Sequence, residues 1–190
     1  MSSGACCLCG ATTKPRMRFP LEPRALVACR SCGLVRVDPM PTVTEAIALY
    51  DEAYFQGGTQ GYVDYEGDAP VFRAEFRRRL RALRGLGAHG RLLDVGCAAG
   101  LALVEAGRLG FAPSGLEPEP VMAARARARA GVPVLASSLE KALLQRGTRE
   151  TITCFDVLEH FVDPLAALRQ MRQALVPGGW LAVTTPDFGG

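Results

Sequence analysis

The sequence predicts an α/β fold in which a parallel, doubly wound sheet is flanked by helices. From Arg91 onward, strand and helix signals alternate at short intervals, as they do in such sheets. The first 40 residues differ, because they hold two cysteine pairs and short β-like runs. At 190 residues and 48% apolar, the chain can bury one full core and a small additional module.

Three regions follow from this reading, namely 1–40, a helical and aromatic linker at 41–90, and the sheet at 91–190. The predicted strands lie near 91–96, 112–117, 132–136, 151–157 and 180–185, with helices near 100–109, 120–130 and 164–175. No apolar run has the roughly 18–20 residues that span a bilayer, and the N-terminus lacks the layout of a secretory signal. We therefore expect a cytoplasmic protein without a membrane partner. A net charge of +3 makes a nucleic-acid partner unlikely on composition.

The N-terminal cysteines have the spacing of a metal site. Cys6 and Cys9 form one C-x2-C pair, and Cys29 and Cys32 form a second pair after nineteen residues. Four thiolates complete a closed tetrahedral shell, which is typical of structural zinc. Cys7 could replace Cys6 as a ligand, and a cysteine-rich segment without metal is the alternative. The two remaining cysteines, at 97 and 154, fall on or beside predicted strands and are interpreted as packing residues.

The linker carries two features that admit two interpretations each. Its aromatic residues could form a lid over a ligand or could attach the linker to the core; they are Tyr50, Tyr54, Phe55, Tyr62 and Tyr65. The arginine-rich helix that follows has an apolar stripe that predicts packing on the sheet; its members are Phe72, Phe76, Leu80 and Leu83. Its arginines fall mostly on the other faces, which predicts a solvated face, or else a footprint for RNA or a phosphorylated substrate.

The segment DVGCAAG, from Asp94 to Gly100, is a turn of small residues after the first strand of the sheet. A dinucleotide loop needs G-x-G-x-x-G, but the third position from Gly96 is Ala98 and the sixth is Leu101. No Gly-Lys-Ser/Thr follows, which excludes a P-loop. The carboxylate of Asp94 suits a cofactor with an ammonium and a sulfonium better than a pyrophosphate.

This segment resembles the first motif of class I S-adenosylmethionine-dependent methyltransferases. Further motifs follow in the family's order: GLEP ending the second strand, LASSLE after the third, DVLEH ending the fourth, and LVPGGWLAVTTPD. The N-terminal half resembles bacterial enzymes of this kind that carry a zinc module and act on sugars or other small metabolites. The resemblance implies a Rossmann-like, five-stranded parallel sheet of order 3-2-1-4-5, with a small N-terminal zinc ribbon.

The resemblance also implies which residues bind S-adenosylmethionine. Glu117 lies twenty-one residues after Gly96, where an acid can accept both ribose hydroxyls; alone, it could be a solvated strand end. Adenine is expected against Ser138 and Leu139, with Glu140 a weaker candidate. The full set is Asp94, Gly96, Cys97, Ala98, Gly100, Glu117, Pro118, Ser138, Leu139, Asp156 and Leu158.

His160 is the first candidate for a general base or a substrate contact, because it follows the strand end expected to face the transferred methyl. Glu159 is the second candidate. The alternative is that this Glu-His pair only braces loops around the cofactor. His89, the other histidine, is expected in an exposed loop.

The chain stops at Gly190, directly after the fifth predicted strand, whereas the resembling enzymes continue with elements that complete the sheet and the substrate pocket. We therefore expect either a fragment or a homodimer or other partner that covers the edge of the fifth strand. The leading function is methyl transfer to a small molecule of the sugar or secondary-metabolite type. The alternatives are RNA methylation and a truncated, non-catalytic module that binds S-adenosylmethionine or a partner.

Overall fold

The computed structural model describes residues 5–48 and 67–187. Its N-terminal part is a small antiparallel sheet. Strands β1 (Arg16–Leu21), β2 (Arg24–Ala28) and β3 (Val35–Asp38) pair in the order β1-β2-β3. One cysteine pair precedes β1, and the other lies in the turn between β2 and β3. A short helix, α1 (Val43–Ala48), follows the sheet.

A five-stranded parallel sheet forms the rest of the described chain. Its elements are α2 (Ala69–Gly85), β4 (Arg91–Val95), α3 (Leu101–Arg108), β5 (Ala112–Glu117), α4 (Pro120–Ala130), β6 (Val134–Ala136), β7 (Arg149–Phe155), a 3-10 turn (Leu158–His160), α5 (Pro164–Ala174) and β8 (Leu175–Thr184). The strand order is β6-β5-β4-β7-β8, so the predicted order 3-2-1-4-5 is confirmed. Of the helices in the described residues, none has the length and apolar character that crossing a membrane requires.

Several strand boundaries differ from the predicted ones, and three of the differences have a local reason. Strand β6 begins at Val134 because Pro133 has no N–H to donate, although its carbonyl accepts a bond from Gly115. Strand β7 ends at Phe155 because the next residue, Asp156, has a φ of 57°. Strand β8 begins five residues early, and its pairing with β7 shifts register across the turn at 176–179.

The sheet is covered on both faces, as its nearly continuous apolar strands require. Leu92 packs with Leu80 and Leu83 of α2 on one face. Leu93 packs on the other face, in a cluster that includes Met171 of α5. This alternation along β4 places the central strand between two apolar layers, and the predicted apolar stripe of α2 forms part of one layer.

The arginines of α2 are less solvated than the sequence suggests. The Glu105 side chain on α3 is 1% exposed and accepts bonds from Arg73 Nε at 2.9 Å, Arg77 Nε at 2.7 Å and Arg108 Nη1 at 2.9 Å. Burial alone would raise the pKa of Glu105, but the bonds from Arg77 and Arg73 hold it below its ordinary value. These ion pairs fix α2 across α3, so part of the face expected to be solvated is a structural contact.

Candidate functional site

A cavity of about 330 Å³ lies at the carboxyl ends of β4, β5 and β7, where open α/β sheets hold their ligands. Parallel strands end at the same edge of a sheet, so residues distant in sequence meet there. Helices α1 and α2 and the loops after β6 and β7 supply the remaining walls. Buried carboxylates form one part of the cavity lining, here called the acidic end, and the remainder is mostly apolar.

Asp94 and Glu117 form the acidic end, and both are almost fully buried. The hydroxyl of Thr153 donates to Asp94 Oδ1 at 2.6 Å. Burial raises the pKa of Asp94 to about 7, despite that bond, and the charge of Glu117 adds to the rise. Glu117 accepts from the backbone amides of Ala98 at 2.8 Å and Glu119 at 3.0 Å. Burial raises its pKa too, while these amides oppose the rise.

The two predicted glycines of the turn have different roles. Gly96 lines the cavity with a φ of 74°, and a Cβ there would lie 2.6 Å from a Val157 methyl carbon. Gly100 is not among the lining residues; it precedes α3 with a φ of 80°. A Cβ at Gly100 would lie 2.9 Å from the Cα of Ala126 in α4. Its smallness therefore serves the packing of α3 on α4 rather than direct contact with a ligand.

Between those glycines, Cys97 and Ala98 line the cavity through different atoms. Ala98 has a φ of 43°, in the left-handed region that favours glycine, and its amide donates to Glu117. The Cys97 side chain is buried away from solvent, and a Cβ at Gly115 would lie 2.5 Å from its Sγ. The thiol at 97 is thus a packing group, and so is that of Cys154, whose pKa burial raises to about 12.

The loop after β6 brings Ser138 and Leu139 to the cavity, which Pro118, the residue after β5, also lines. The Ser138 hydroxyl is buried and has no hydrogen-bond partner among the described residues. A buried polar atom without a partner costs free energy, so it fits a site that a polar ligand completes. The neighbouring Glu140 also lines the cavity and is exposed.

Aromatic side chains form a second part of the lining, here called the aromatic end. Phe76 stacks on Phe155 at a ring-centroid distance of 6.0 Å and on Phe72 at 6.5 Å. The other apolar residues of this end are Val43, Ala46, Val71, Phe161 and Val162. Because α1 and α2 provide much of this wall, the region before the parallel sheet is part of the site.

One guanidinium on the cavity lining joins α2 to the residues at the ends of β7 and β8. Arg79 donates from Nε to Glu75 Oε1 at 2.8 Å, and from Nη1 to Asp156 Oδ2 at 2.8 Å and Thr184 Oγ1 at 2.9 Å. Its Cζ lies 5.4 Å from the ring centroid of Phe155. Asp156 also accepts from the Thr184 hydroxyl at 2.9 Å. The predicted residue Asp156 is therefore held in its left-handed conformation by partners that the sequence does not reveal.

Of the predicted residues after β7, His160 lines the cavity, whereas Glu159 and Leu158 do not. His160 lines the cavity, and burial lowers its pKa, opposed by the charges of Glu159 and Asp156. Glu159 is not among the lining residues, and its Oε1 is 3.9 Å from His160 Nε2. Leu158 packs against the core cluster on the α5 face instead of lining the cavity. Of the three, only His160 is in position to contact a ligand in the cavity.

The four predicted metal ligands come together at one end of the small sheet. Their Sγ atoms all lie within 4.8 Å of one another, with Cys6 and Cys32 at 3.7 Å and Cys9 and Cys29 at 3.7 Å. A tetrahedral zinc with Zn–S bonds of about 2.3 Å needs sulfur atoms about 3.8 Å apart, so the arrangement fits that ion. Cys7 is not a member of the group, which favours Cys6 as the ligand.

The structure thus gathers most of the predicted cofactor residues around one cavity and leaves Gly100, Leu158 and Glu159 outside its lining. The aromatic residues at 50–65 lie outside the described residues. Sequence reasoning missed Arg79 and the wall from α1. The i, i+4 spacing of Glu75 and Arg79 indicates an ion pair, but nothing distinguishes Arg79 from the other arginines of α2.

Comparison with known proteins gives concordant matches. The sequence profile of a family described as "Methyltransferase domain" matches residues 67–188. A "Ubiquinone biosynthesis O-methyltransferase" from Xanthomonas euvesicatoria is 39% identical over 101 residues, which cover 50% of this chain and 42% of that protein. The chain therefore spans less than half the length of this curated relative.

Solved structures show the same fold. A methyltransferase from Thermotoga maritima, described as a possible histamine N-methyltransferase, is 29% identical with a TM-score of 0.52, covering 63% of this chain and 55% of that one. A SAM-dependent methyltransferase from Leishmania major is 23% identical with a TM-score of 0.55, covering 73% and 58%. The second likeness concerns the fold alone.

Proposed function

The chain belongs to the methyltransferase-domain family, as a class I S-adenosylmethionine-dependent methyltransferase, and from this premise we propose that it methylates a small-molecule acceptor. The observation that carries the proposal is that buried carboxylates and aromatic side chains line the same cavity. S-adenosylmethionine supplies the methyl group when bound. Residues of the acidic end would bind the cofactor, and residues of the aromatic end would bind the acceptor and remove its proton.

The acidic end fits the cofactor. Each oxygen of Glu117 accepts one backbone amide and retains a free lone pair that can accept a ribose hydroxyl. Asp94 presents a buried carboxylate toward the end of β4, where it can pair with the cationic methionine part. The Ser138 hydroxyl lacks a partner until a polar group enters, and Leu139 offers an apolar surface to a base.

The aromatic end fits an acceptor with a flat apolar body. Stacked rings contribute apolar area at low cost in side-chain entropy, and the nucleophile must point toward the junction with the acidic end. His160 lies on the cavity wall with a lowered pKa, so its imidazole is mainly neutral near pH 7. A neutral imidazole can accept the proton of an acceptor hydroxyl as that oxygen takes the methyl group. The ubiquinone-pathway name of the Xanthomonas relative also supports a hydroxyl acceptor.

We assign the four-cysteine group to structural zinc. The supporting observations are the sulfur separations and the two C-x2-C turns, each closed by a glycine amide that donates to the first cysteine's carbonyl, from Gly10 to Cys6 at 2.8 Å and from Gly33 to Cys29 at 3.0 Å. The backbone amides of Cys32 and Ser31 lower the pKa of the Cys29 thiol to about 6. Although the Leu34 amide opposes the rise, burial and hydrogen bonds with the other three thiols raise the pKa of Cys32 to about 12. A cation among the sulfurs would stabilise all four as thiolates.

Two measurements test the methyltransferase proposal. Calorimetric titration of the zinc-loaded protein with S-adenosylmethionine should show one binding site, and its absence would overturn the cofactor assignment. Mass spectrometry should then detect methyl transfer to some member of a panel of phenols, catechols and aromatic amines. A chain that binds the cofactor but methylates no panel member contradicts the acceptor class and leaves the cofactor assignment intact.

The role of His160 is tested with a matched pair of variants. We expect His160→Gln to lower kcat by about a hundredfold at pH 7.5, since general-base catalysis contributes on the order of 10²–10⁴-fold. His89→Gln is the control, because the His89 side chain is exposed and outside the cavity lining, and its Nδ1 pairs with the Gly87 carbonyl at 2.9 Å. Equal kcat values for the two variants would indicate that His160 only braces the loop.

A further inference from the structure

Helix α1 connects the small cysteine-bearing sheet to the cavity. Val43 and Ala46 line the aromatic end, and Ala46 is buried. The helix has only six residues, which is too short for stable helix formation on its own. Its position on the cavity wall must therefore come from contacts with its surroundings.

Arg24, the first residue of β2, makes such a contact. Its Nη1 donates to the carbonyl of Pro39 at 2.8 Å, and its Nη2 donates to Glu45 Oε1 of α1 at 3.2 Å. One side chain thus binds both the segment that leads into the helix and the helix itself. Strand β2 ends at Ala28, directly before the ligand Cys29, so the same strand carries Arg24 at one end and the cysteine group at the other.

The other oxygen of Glu45 holds the start of the helix. Glu45 Oε2 accepts from the Thr42 amide at 2.7 Å and from the Thr42 hydroxyl at 2.9 Å, while the Glu45 amide donates to Thr42 Oγ1 at 3.2 Å. This reciprocal pair is a capping box, which sets where the helix begins. Arg24 binds the same carboxylate at the surface, so the position of β2 contributes to the direction of α1.

We propose that the metal-bound sheet positions one wall of the aromatic end of the cavity, called the acceptor end because the acceptor is assigned to it above. Arg24 is the residue through which the sheet does so. This inference rests on the zinc and acceptor assignments made above. Zinc fixes the turn after β2, β2 fixes Arg24, and Arg24 holds α1 with Val43 and Ala46 on the cavity. Metal binding is therefore coupled to the acceptor wall, whereas the carboxylates that hold the cofactor lie on the parallel sheet and are independent of it.

Hydrogen–deuterium exchange on the full chain tests the coupling without knowledge of the acceptor. Four samples are compared: wild type, Arg24→Gln, and each after zinc removal with a chelator, with metal content measured by mass spectrometry. Removing zinc from wild type should speed exchange of the 43–48 amides by about fivefold or more, as expected for local opening, and should leave the 91–95 amides unchanged. Arg24→Gln with zinc should show the same acceleration at 43–48, and chelation should add little to it.

Arg18→Gln is the matched control, because Arg18 is an exposed arginine on the neighbouring strand β1. It should retain both the slow exchange at 43–48 and the response to zinc removal. The proposal is overturned if zinc removal leaves the 43–48 amides unchanged in wild type, or if Arg24→Gln responds to chelation as wild type does. A chain that holds no zinc overturns the metal assignment and the coupling. The comparison of the two arginine variants then still decides whether Arg24 holds the wall.

S-adenosylmethionine affinity separates this inference from the function on which it rests. The cofactor Kd should agree within about twofold between wild type and Arg24→Gln, because no cofactor residue changes. Absence of cofactor binding in wild type contradicts the methyltransferase proposal and leaves the exchange result standing. A large change in cofactor Kd on Arg24→Gln alone contradicts the independence of the two ends.

Discussion

The two ends of the cavity are built in different ways. The acidic end, which is assigned above to the cofactor and is called the cofactor end below, is formed by residues at the carboxyl ends of adjacent strands. There, Glu117 is bonded to the backbone of the turn that follows β4. The acceptor end is formed by side chains from α1, α2 and the loop after β7, which the fold brings together over long sequence separations. The first end is therefore a property of a local motif, and the second is a property of tertiary packing.

The largest expected effect comes from removing the Glu117 carboxylate. Glu117→Ala should weaken S-adenosylmethionine binding by about a hundredfold, because two charge-assisted hydrogen bonds at about 1.5 kcal/mol each are lost. The Ala98 amide also loses its acceptor. Calorimetric titration measures the change, with circular dichroism to show that the fold persists.

The matched variant is Glu140→Ala, since Glu140 is also an acid on the cavity lining but is exposed. Its Kd should change by less than about threefold, as expected for a solvated charge. If both variants bind the cofactor equally well, Glu117 does not accept the ribose hydroxyls. The cofactor end is then not formed by the local motif that includes Glu117.

The sequence alone predicts which residues meet at the cofactor end, because the determinants of that end are local. Strand, turn and helix succeed one another from Arg91 to Arg108, and the acid at Glu117 follows one βα unit later. The parallel order of the sheet then brings these residues to one edge. The small N-terminal sheet was equally accessible, because the spacing of its cysteines limits how the chain can close around a metal.

The residues of the acceptor end could not be predicted from local sequence. Phe72 and Phe76 were recognised as apolar helix positions, but their periodicity does not say which part of the sheet they cover. The role of Arg79 depends on the adjacency of Asp156, which follows β7, and Thr184, which ends β8. Likewise, the interpretation of the arginines as a solvated face missed Glu105, because a buried acid on another helix leaves no pattern in the sequence of α2.

Gly100 tests whether the lack of a side chain at this position of the turn is needed for cofactor binding or for the packing of α3 on α4. Gly100→Ala should lower the free energy of unfolding by about 2–3 kcal/mol, through the strained positive φ and the approach to the α4 backbone. Gly147→Ala is the control, since its φ of 62° is also positive but no heavy atom of the described residues lies within 4 Å of the added carbon. It should cost only about 1 kcal/mol. Equal losses in urea denaturation would show that the contact with Ala126 is unimportant.

The buried carboxylate of Asp94 makes cofactor binding depend on pH. With a pKa of about 7, about one Asp94 in ten is ionised at pH 6 and about three in four at pH 7.5. The ionised form is the one that attracts a cationic ligand, so S-adenosylmethionine should bind about eightfold more tightly at pH 7.5 than at pH 6. Binding should therefore release protons, which calorimetry in buffers of different ionisation enthalpy detects.

The comparison variant for this pH effect is Asp94→Asn, which cannot titrate. Its affinity should be weak and nearly constant between pH 6 and 7.5. A pH dependence that persists in Asp94→Asn would assign the titrating group elsewhere, for example to His160. That outcome would place the pH response at the acceptor end of the cavity instead of the cofactor end.

The smallest expected effect concerns Ala98, which holds a backbone conformation suited to glycine. An alanine at a φ of 43° carries a penalty of about 1–2 kcal/mol, whereas glycine adds roughly 0.5–1 kcal/mol of unfolded-state entropy. Ala98→Gly should therefore stabilise the chain by about 0.5 kcal/mol and raise Tm by about 1–2 °C. Ala82→Gly, at an exposed position inside α2, should have the opposite sign and cost about 1 kcal/mol. If Ala98→Gly destabilises the chain as much as Ala82→Gly does, the alanine in the turn is not strained. The backbone bond to Glu117 would then determine the conformation of the turn without opposition from the side chain.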